Sequence, residues 1–409
     1  MNILWISYFG SWTCPLAERL VKKHRITVLV PSNQCCRKTE NGVEYIYFDY
    51  PEAEASSMMT PEIFGRMAGY IKAVNPDVIH VHGTEKNLAQ VQKFLPSIPV
   101  VTSIQGILMG CLPYVANYLD MNKVRKYRTL KNIFGRGGAL LMERCFRKGF
   151  LYENDILCNN KYFIGRTDFD KAHVIFRHPD AHYFVGEELL RDIFYHEGGS
   201  WSLESCKRHS IFMPSGFNPI KGMHLAIEAV HLLKPFYPDI RLYIPGVMPS
   251  DGKERRLLSK ITGEEYVRYV FALVKQYQLE GNVILLPRQT AEQMSQHMRD
   301  AHVFLAPSSI DNSPNAVGEA TMMGVPVVTT PVGGIPSFLR DGTDALLSPA
   351  GDPYLLAYNV RRIFDDDQLA CKLSQNAHLV ALRRHNKEVI GKQYEDIYQT
   401  VVKLHQTDK

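Results

Sequence analysis

The sequence predicts an α/β chain of two Rossmann-like domains, and three observations carry that expectation. Its 409 residues exceed what one core ordinarily covers. Short β-branched runs alternate with helix-like stretches. The rhythm stops at "HEGGSWSLESCK" (196–207), where Gly and Ser interrupt it, and then starts again.

In chain order the first series of expected strands is "NILWIS", "RITVLV", "DVIHVH", "PVVTSI", "DILCNN" and "YFIGRT". After residue 205 come "SIFMPSG", "IRLYIPG", "NVILLP", "HVFLAPS", "VPVVTT" and "ALLSPA". Runs apolar on both faces and separated by helical stretches are those of parallel strands covered by helices. The last stretch, 387–405, has apolar residues at helical spacing and reads as an amphipathic helix. The expected domains are therefore 1–195 and 205–380, followed by C-terminal helices over 381–409. Ligands of such sheets sit beyond the carboxyl ends of the strands, so a cleft between two facing sheets is the expected site.

The composition, 45% hydrophobic and 22% charged, is that of a soluble globular protein. No apolar run reaches the roughly 18 residues of a spanning helix, and the first segment lacks a basic start and small-residue cleavage site. A cytoplasmic location is expected. The 47 basic and 42 acidic residues leave only +5, too little to point to nucleic acid. The eight cysteines are scattered without C-x-x-C spacing, as in a reduced chain with neither zinc knuckle nor disulfide framework. G-x-G-x-x-G after the first strand, a P-loop, G-x-S-x-G and H-E-x-x-H are all missing, which disfavours dehydrogenases, P-loop NTPases and common hydrolases. "HPDAH" (178–182) spaces two His helically, but Pro179 between them favours a turn over a metal site.

The chemistry is concentrated in "IDNSPNAVGEATMMGVPVVTTPVGG" (310–334). Ser313 followed by Pro314 reads as an N-cap with Pro at the first helical position, which places the amides of Asn315 and Ala316 among the unpaired donors of a helix start. Such an end binds phosphate. Glu319 lies further along, roughly 8 Å at ~1.5 Å per residue, and helical side chains lean toward the N-terminus, so its carboxylate can accept from a ribose. Asp311 precedes the helix and suits hydroxyls beyond the phosphates. Taken alone, the two acids also fit a helix start decorated with favourable charge. "MPSGFNPIKGMHLAIEA" (213–229) ends a strand, turns through Gly and Pro and opens a helix at Lys221 and Gly222, which aims Lys221 where it can neutralise a diphosphate without a metal. The layout fits a nucleotide sugar.

Together these pieces resemble retaining glycosyltransferases of the two-domain GT-B fold, specifically family 4 (glycosyl transferases group 1). The likeness rests on the acid-x7-acid element at Asp311 and Glu319, the following "GVPVVTTPVGG", Lys221 with Gly222, and "PDVIHVHG" at 76–83. It implies that Glu319 holds the ribose, Lys221 meets the pyrophosphate, and the amides near Asn315 and Ala316 hold the phosphate and sugar end. It further implies that His82 approaches the donor sugar, that Gly10 lies close to the diphosphate, and that the C-terminal helix crosses back to the first domain.

Three residues depart from the family pattern. Asp311 stands where Glu is usual, Gly216 replaces an Arg five residues before Lys221, and "YFGSWTCP" has one Gly where many relatives have two. Arg288 and Arg166 are candidates to supply the missing cation, with an ion pair to Asp168 or Asp170 as the structural alternative for Arg166. "FIGRTDFD", "HGTE" (82–85) and "SIQG" (103–106) resemble motifs of a polysaccharide-building subgroup, making Glu85 and Gln105 acceptor-side candidates.

The expected function is transfer of a hexose-type sugar from a nucleotide sugar, UDP rather than GDP, with retention and with no metal cofactor. The expected acceptor is a saccharide, lipid-linked, in bacterial capsule, exopolysaccharide or O-antigen assembly. A nucleotide-sugar epimerase and a catalytically silent nucleotide-sugar-binding partner are the alternatives. The basic and aromatic stretch 107–150 suits either an anionic membrane surface, as a peripheral contact, or solvated basic helices.

Overall fold

The alternating apolar runs form two parallel sheets in the computed structural model, which describes residues 1–7, 14–50, 59–128, 138–216, 218–248 and 265–407. The strands of the first sheet are β1 (Asn2–Ile6), β2 (Arg25–Ser32), β3 (Cys36–Glu40), β4 (Val43–Asp49), β5 (Val78–His82), β6 (Val100–Ser103), β7 (Tyr162–Gly165) and β8 (His182–Val185). Their order is β3-β4-β2-β1-β5-β6-β7-β8, and only the β3/β4 pair is antiparallel. Leu4 and Ile6 enter one core while Ile3 and Trp5 enter the other, so β1 is buried on both faces. The helix Lys387–Thr407 supplies Ile390, Tyr394, Ile397, Tyr398 and Val401 to the second of these cores.

The second sheet contains β9 (Lys207–Phe212), β10 (Arg241–Met248), β11 (Val283–Pro287), β12 (Ala301–Ala306), β13 (Val327–Thr329) and β14 (Leu346–Leu347), in the order β11-β10-β9-β12-β13-β14. All of its pairings are parallel. Contacts divide the chain into one unit of Met1–Gly110, Cys145–Leu190 and His385–Lys409, and another of Cys111–Arg144 and Arg191–Arg384.

The structure differs from the sequence reading in several places, and β4 and β8 join the first sheet without having been expected. "DILCNN" ends the helix Gly138–Asn159 instead of forming a strand; Ile156 and Leu157 are buried there, and a short apolar run does not distinguish the two states. β3 is exposed at every position, an edge strand with no apolar signal. The described part of Cys111–Arg144 groups with the second unit, not with residues 1–195. Asn117 anchors it, donating to the carbonyls of Pro219 (2.8 Å) and Ile220 (3.3 Å). Among the described residues no helix is long and apolar enough to cross a membrane.

Candidate functional site

In the second unit, a 3₁₀ turn over Pro219–Lys221 follows β9, with the Asn218 side chain accepting from the Ile220 amide (3.1 Å). Gly222 ends the turn at φ 78°, where a Cβ would stand 2.2 Å from the Pro307 carbonyl oxygen. Only glycine permits this approach. The Ser309 amide donates to the Ile220 carbonyl (2.9 Å), joining this turn to the loop after β12. Lys221 Nζ consequently lies 2.6 Å from Asp311 Oδ2, which also accepts from Ser308 Oγ (3.2 Å). The Asp311 backbone is fixed as well: Gly334 donates to its carbonyl (2.9 Å), and a Cβ on Gly333 would sit 2.0 Å from that oxygen. The double glycine is therefore the seat of Asp311.

The helix Asn315–Met323 starts one residue later than expected, with Pro314 as its N-cap. Pro314 has ψ 116°, extended and not helical. Ser313 is not the cap; its Oγ accepts from Arg384 Nη2 (2.8 Å), and the Arg384 guanidinium lies 3.8 Å over the Phe338 ring. Val317 and Gly318 donate to the Pro314 carbonyl, so Asn315 and Ala316 form the first turn of the helix.

Glu319 is 4% exposed. Arg191 Nε and Nη2 reach its two oxygens at 2.7 and 2.8 Å. Burial pushes the Glu319 carboxyl upward, and Arg191 opposes that rise. Sequence reasoning missed Arg191, which sits 128 residues upstream in a stretch without a motif. At Gly216 a Cβ would meet Met223 Sδ at 2.6 Å and Ile244 Cγ2 at 2.8 Å, so a larger residue there requires those side chains to move. Arg288 stands exposed one residue past β11.

The first unit gathers the other candidates around β5, β6 and β7. His80 is wholly buried, pairing with Tyr398 OH (2.7 Å) and Ser103 Oγ (2.6 Å), and is a core residue. His82 shares its strand face, with ring centroids 3.9 Å from His80 and 4.7 Å from Trp5; burial lowers its pKa to about 3, so its imidazole is neutral. Glu85 crowds Gly83 and has its carboxyl raised by burial. Gln105 donates to Glu188 (2.6 Å) and accepts from Arg166 (3.2 Å). Arg166 lies 2.7 Å from Glu188, both side chains at most 10% exposed. The structural alternative, an ion pair with Asp168 or Asp170, is corrected in its partner: Asp170 closes a capping box with Thr167 and takes the Arg166 backbone amide instead. Gly10 lies outside the described residues. His178 and Pro179 form the loop before β8, as the proline requires.

Asp311, Lys221, Asn315, Ala316 and Glu319 thus belong to one unit, and His82, Glu85, Gln105 and Arg166 to the other. The fold as a whole is that of two-domain GT-B proteins. Sucrose-phosphate synthase from Thermosynechococcus elongatus superposes with TM-score 0.71 at 17% identity, covering 98% of each chain. HepE of Anabaena in complex with UDP superposes with TM-score 0.67 at 15% identity, covering 98% of this chain and 100% of that one. Residues 203–380 match the family described as Glycosyl transferases group 1.

WcaL of Salmonella typhimurium, which bears the name of a colanic acid biosynthesis glycosyltransferase, is 31% identical over 189 residues, 44% of this chain and 42% of that protein. LpsE of Rhizobium meliloti, named for lipopolysaccharide core biosynthesis, is 28% identical over 174 residues, 42% of this chain and 45% of that protein. The matched region is less than half the length of either relative.

Proposed function

We propose that the chain transfers a hexose-type sugar from a UDP-sugar to a lipid-linked saccharide, with retention, in the assembly of a bacterial surface polysaccharide. The observation that carries this reading is the meeting of Lys221 with Asp311 at the start of the helix that bears Glu319. The names of WcaL and LpsE support the pathway, and the UDP complex of HepE supports the base.

The Lys221 ammonium has three donors, of which Asp311 engages one. The others, with the first amides of the helix, would stabilise the charge that develops on the departing diphosphate, without a metal. The bond from the sugar C1 to the diphosphate oxygen breaks, a bond from C1 to the acceptor oxygen forms on the same face, and the acceptor proton passes to the leaving phosphate. His82, neutral through the physiological range, would contribute a hydrogen bond and no charge. Glu85 and Gln105 are proposed to face the acceptor. The basic stretch 107–150, which includes exposed Tyr114 and Tyr118, is proposed to hold the chain peripherally at an anionic membrane; its residues 129–137 lie outside the described residues.

The test is incubation with a panel of nucleotide sugars and glycolipid extracts, reading the anomeric configuration of the product by NMR. Product with the donor's configuration supports the reading. Donor conversion without acceptor indicates an epimerase, and no turnover with any donor indicates a silent binding partner.

A further inference from the structure

A carboxylate offers about four lone-pair positions, two per oxygen. Arg191 engages one on each oxygen of Glu319, in the parallel fork that only a guanidinium supplies. We infer that Arg191 is the positioning residue of the donor's ribose end: it fixes the plane of the Glu319 carboxylate and leaves one acceptor position on each oxygen for a cis-diol. The inference rests on the reading of Glu319 as the ribose-binding acid.

The geometry around the pair supports this role. Arg191 precedes the short helix Asp192–His196, and its guanidinium lies 4.9 Å over the Phe194 ring, which limits its rotation. Its side chain is 40% exposed while that of Glu319 is 6% exposed, so the pair presents its cationic half to solvent. An ion pair so placed contributes little net stability, and its partner acid would be poorly tolerated alone. Further titratable groups sit on the elements packed against the helix Asn315–Met323. On helix Ala291–Asp300, Glu292 faces Arg191, and Arg299 pairs with Glu197 (3.1 Å). His297 of that helix stacks on Phe212. From helix Asp367–Arg384, His378 pairs with the Met322 carbonyl and Arg384 with Ser313. Asp192 and His196 flank Phe194 on the helix that follows Arg191.

Removing Arg191 leaves Glu319 buried without the group that opposes its protonation. The acid then holds its proton to higher pH than in wild type and accepts less well where it is protonated, and it recovers its charge as pH rises. This gives a signature that lost packing would not produce. UDP and 2′,3′-dideoxy-UDP are titrated calorimetrically at about pH 7 and about pH 9, above the last phosphate ionisation, against wild type, Glu319→Ala, Arg191→Met and Arg191→Lys. Wild type should prefer UDP over the dideoxy compound by about tenfold at both values. Arg191→Met should lose about tenfold in UDP affinity and the diol preference at the lower pH, and regain part of both at the higher. Arg191→Lys, which keeps charge without the fork, should fall between them.

Wild-type affinity, diol preference and flat pH response in folded Arg191→Met overturn the inference while leaving the donor reading intact. If Arg191→Met does not fold, a wild-type response of Arg191→Lys overturns it. Wild-type affinity in Glu319→Ala, or no binding of UDP to wild type, overturns the underlying reading.

Discussion

Lys221 and Asp311, 90 residues apart in sequence, form a 2.6 Å ion pair in which the cation is 36% exposed and the acid 17%. A diphosphate reaching Lys221 must compete with this carboxylate. Asp311→Asn should therefore bind UDP as tightly as wild type or several-fold more tightly, while turnover falls by about 10²-fold or more. Lys221→Ala should lose about tenfold or more in UDP affinity. Calorimetry and steady-state turnover on the two variants check the opposite signs.

Gly333 has φ 53° and would place a Cβ 2.0 Å from the Asp311 carbonyl oxygen. Gly333→Ala should lower the unfolding free energy by more than about 1 kcal/mol and displace Asp311, with loss of turnover in the folded fraction. Gly281→Ala, where a Cβ meets nothing within 4 Å, is the control and should stay within about 0.5 kcal/mol of wild type. Urea denaturation of both variants makes the comparison.

Much of this was legible in the sequence. The strands apolar on both faces announced both parallel sheets, and the acid-x7-acid spacing singled out Asp311 and Glu319, with the helix start placed one residue early. The side-chain partners of these candidate residues were not legible. Arg191 and Arg384 reach Glu319 and Ser313 from 128 and 71 residues away, and no periodicity reports so distant a pairing. Arg166 was located correctly on its strand end, but its partner Glu188 lies 22 residues on, whereas the nearer Asp170 is committed to a helix cap. Local spacing favours the near acid; the fold selects the far one.

Arg166 and Glu188 form a buried pair, so removing the cation strands an acid in the first unit. Arg166→Met should cost about 3–5 kcal/mol, and Arg166→Met with Glu188→Gln should recover part of it. UDP affinity in the folded fraction should be unchanged. Denaturant unfolding combined with UDP titration distinguishes this from a phosphate-binding role, which would weaken UDP without the stability loss.

Glu153 is fully buried, accepting from the amides of Leu108 (2.9 Å) and Met109 (3.1 Å) and from the Thr84 hydroxyl (3.1 Å), with Glu85 nearby. Its pKa is pushed up from 4.5 to about 7, by burial first. The folded state then holds more protons than the unfolded chain between these values. This contribution is fully present below 4.5 and is lost as pH rises to about 7. On the order of 3 kcal/mol of stability should disappear across that window, and Glu153→Gln should flatten the profile there. Unfolding free energies measured at several pH values test it.

The most direct measurement of the central claim is calorimetric titration of wild type and Glu319→Ala with UDP, GDP, ADP and CDP in chelator. Tight binding of UDP by wild type that weakens by about tenfold or more in Glu319→Ala is the predicted result. Equal binding of UDP by both proteins, or no binding of any of the four, would contradict a donor site built on Lys221, Asp311 and Glu319.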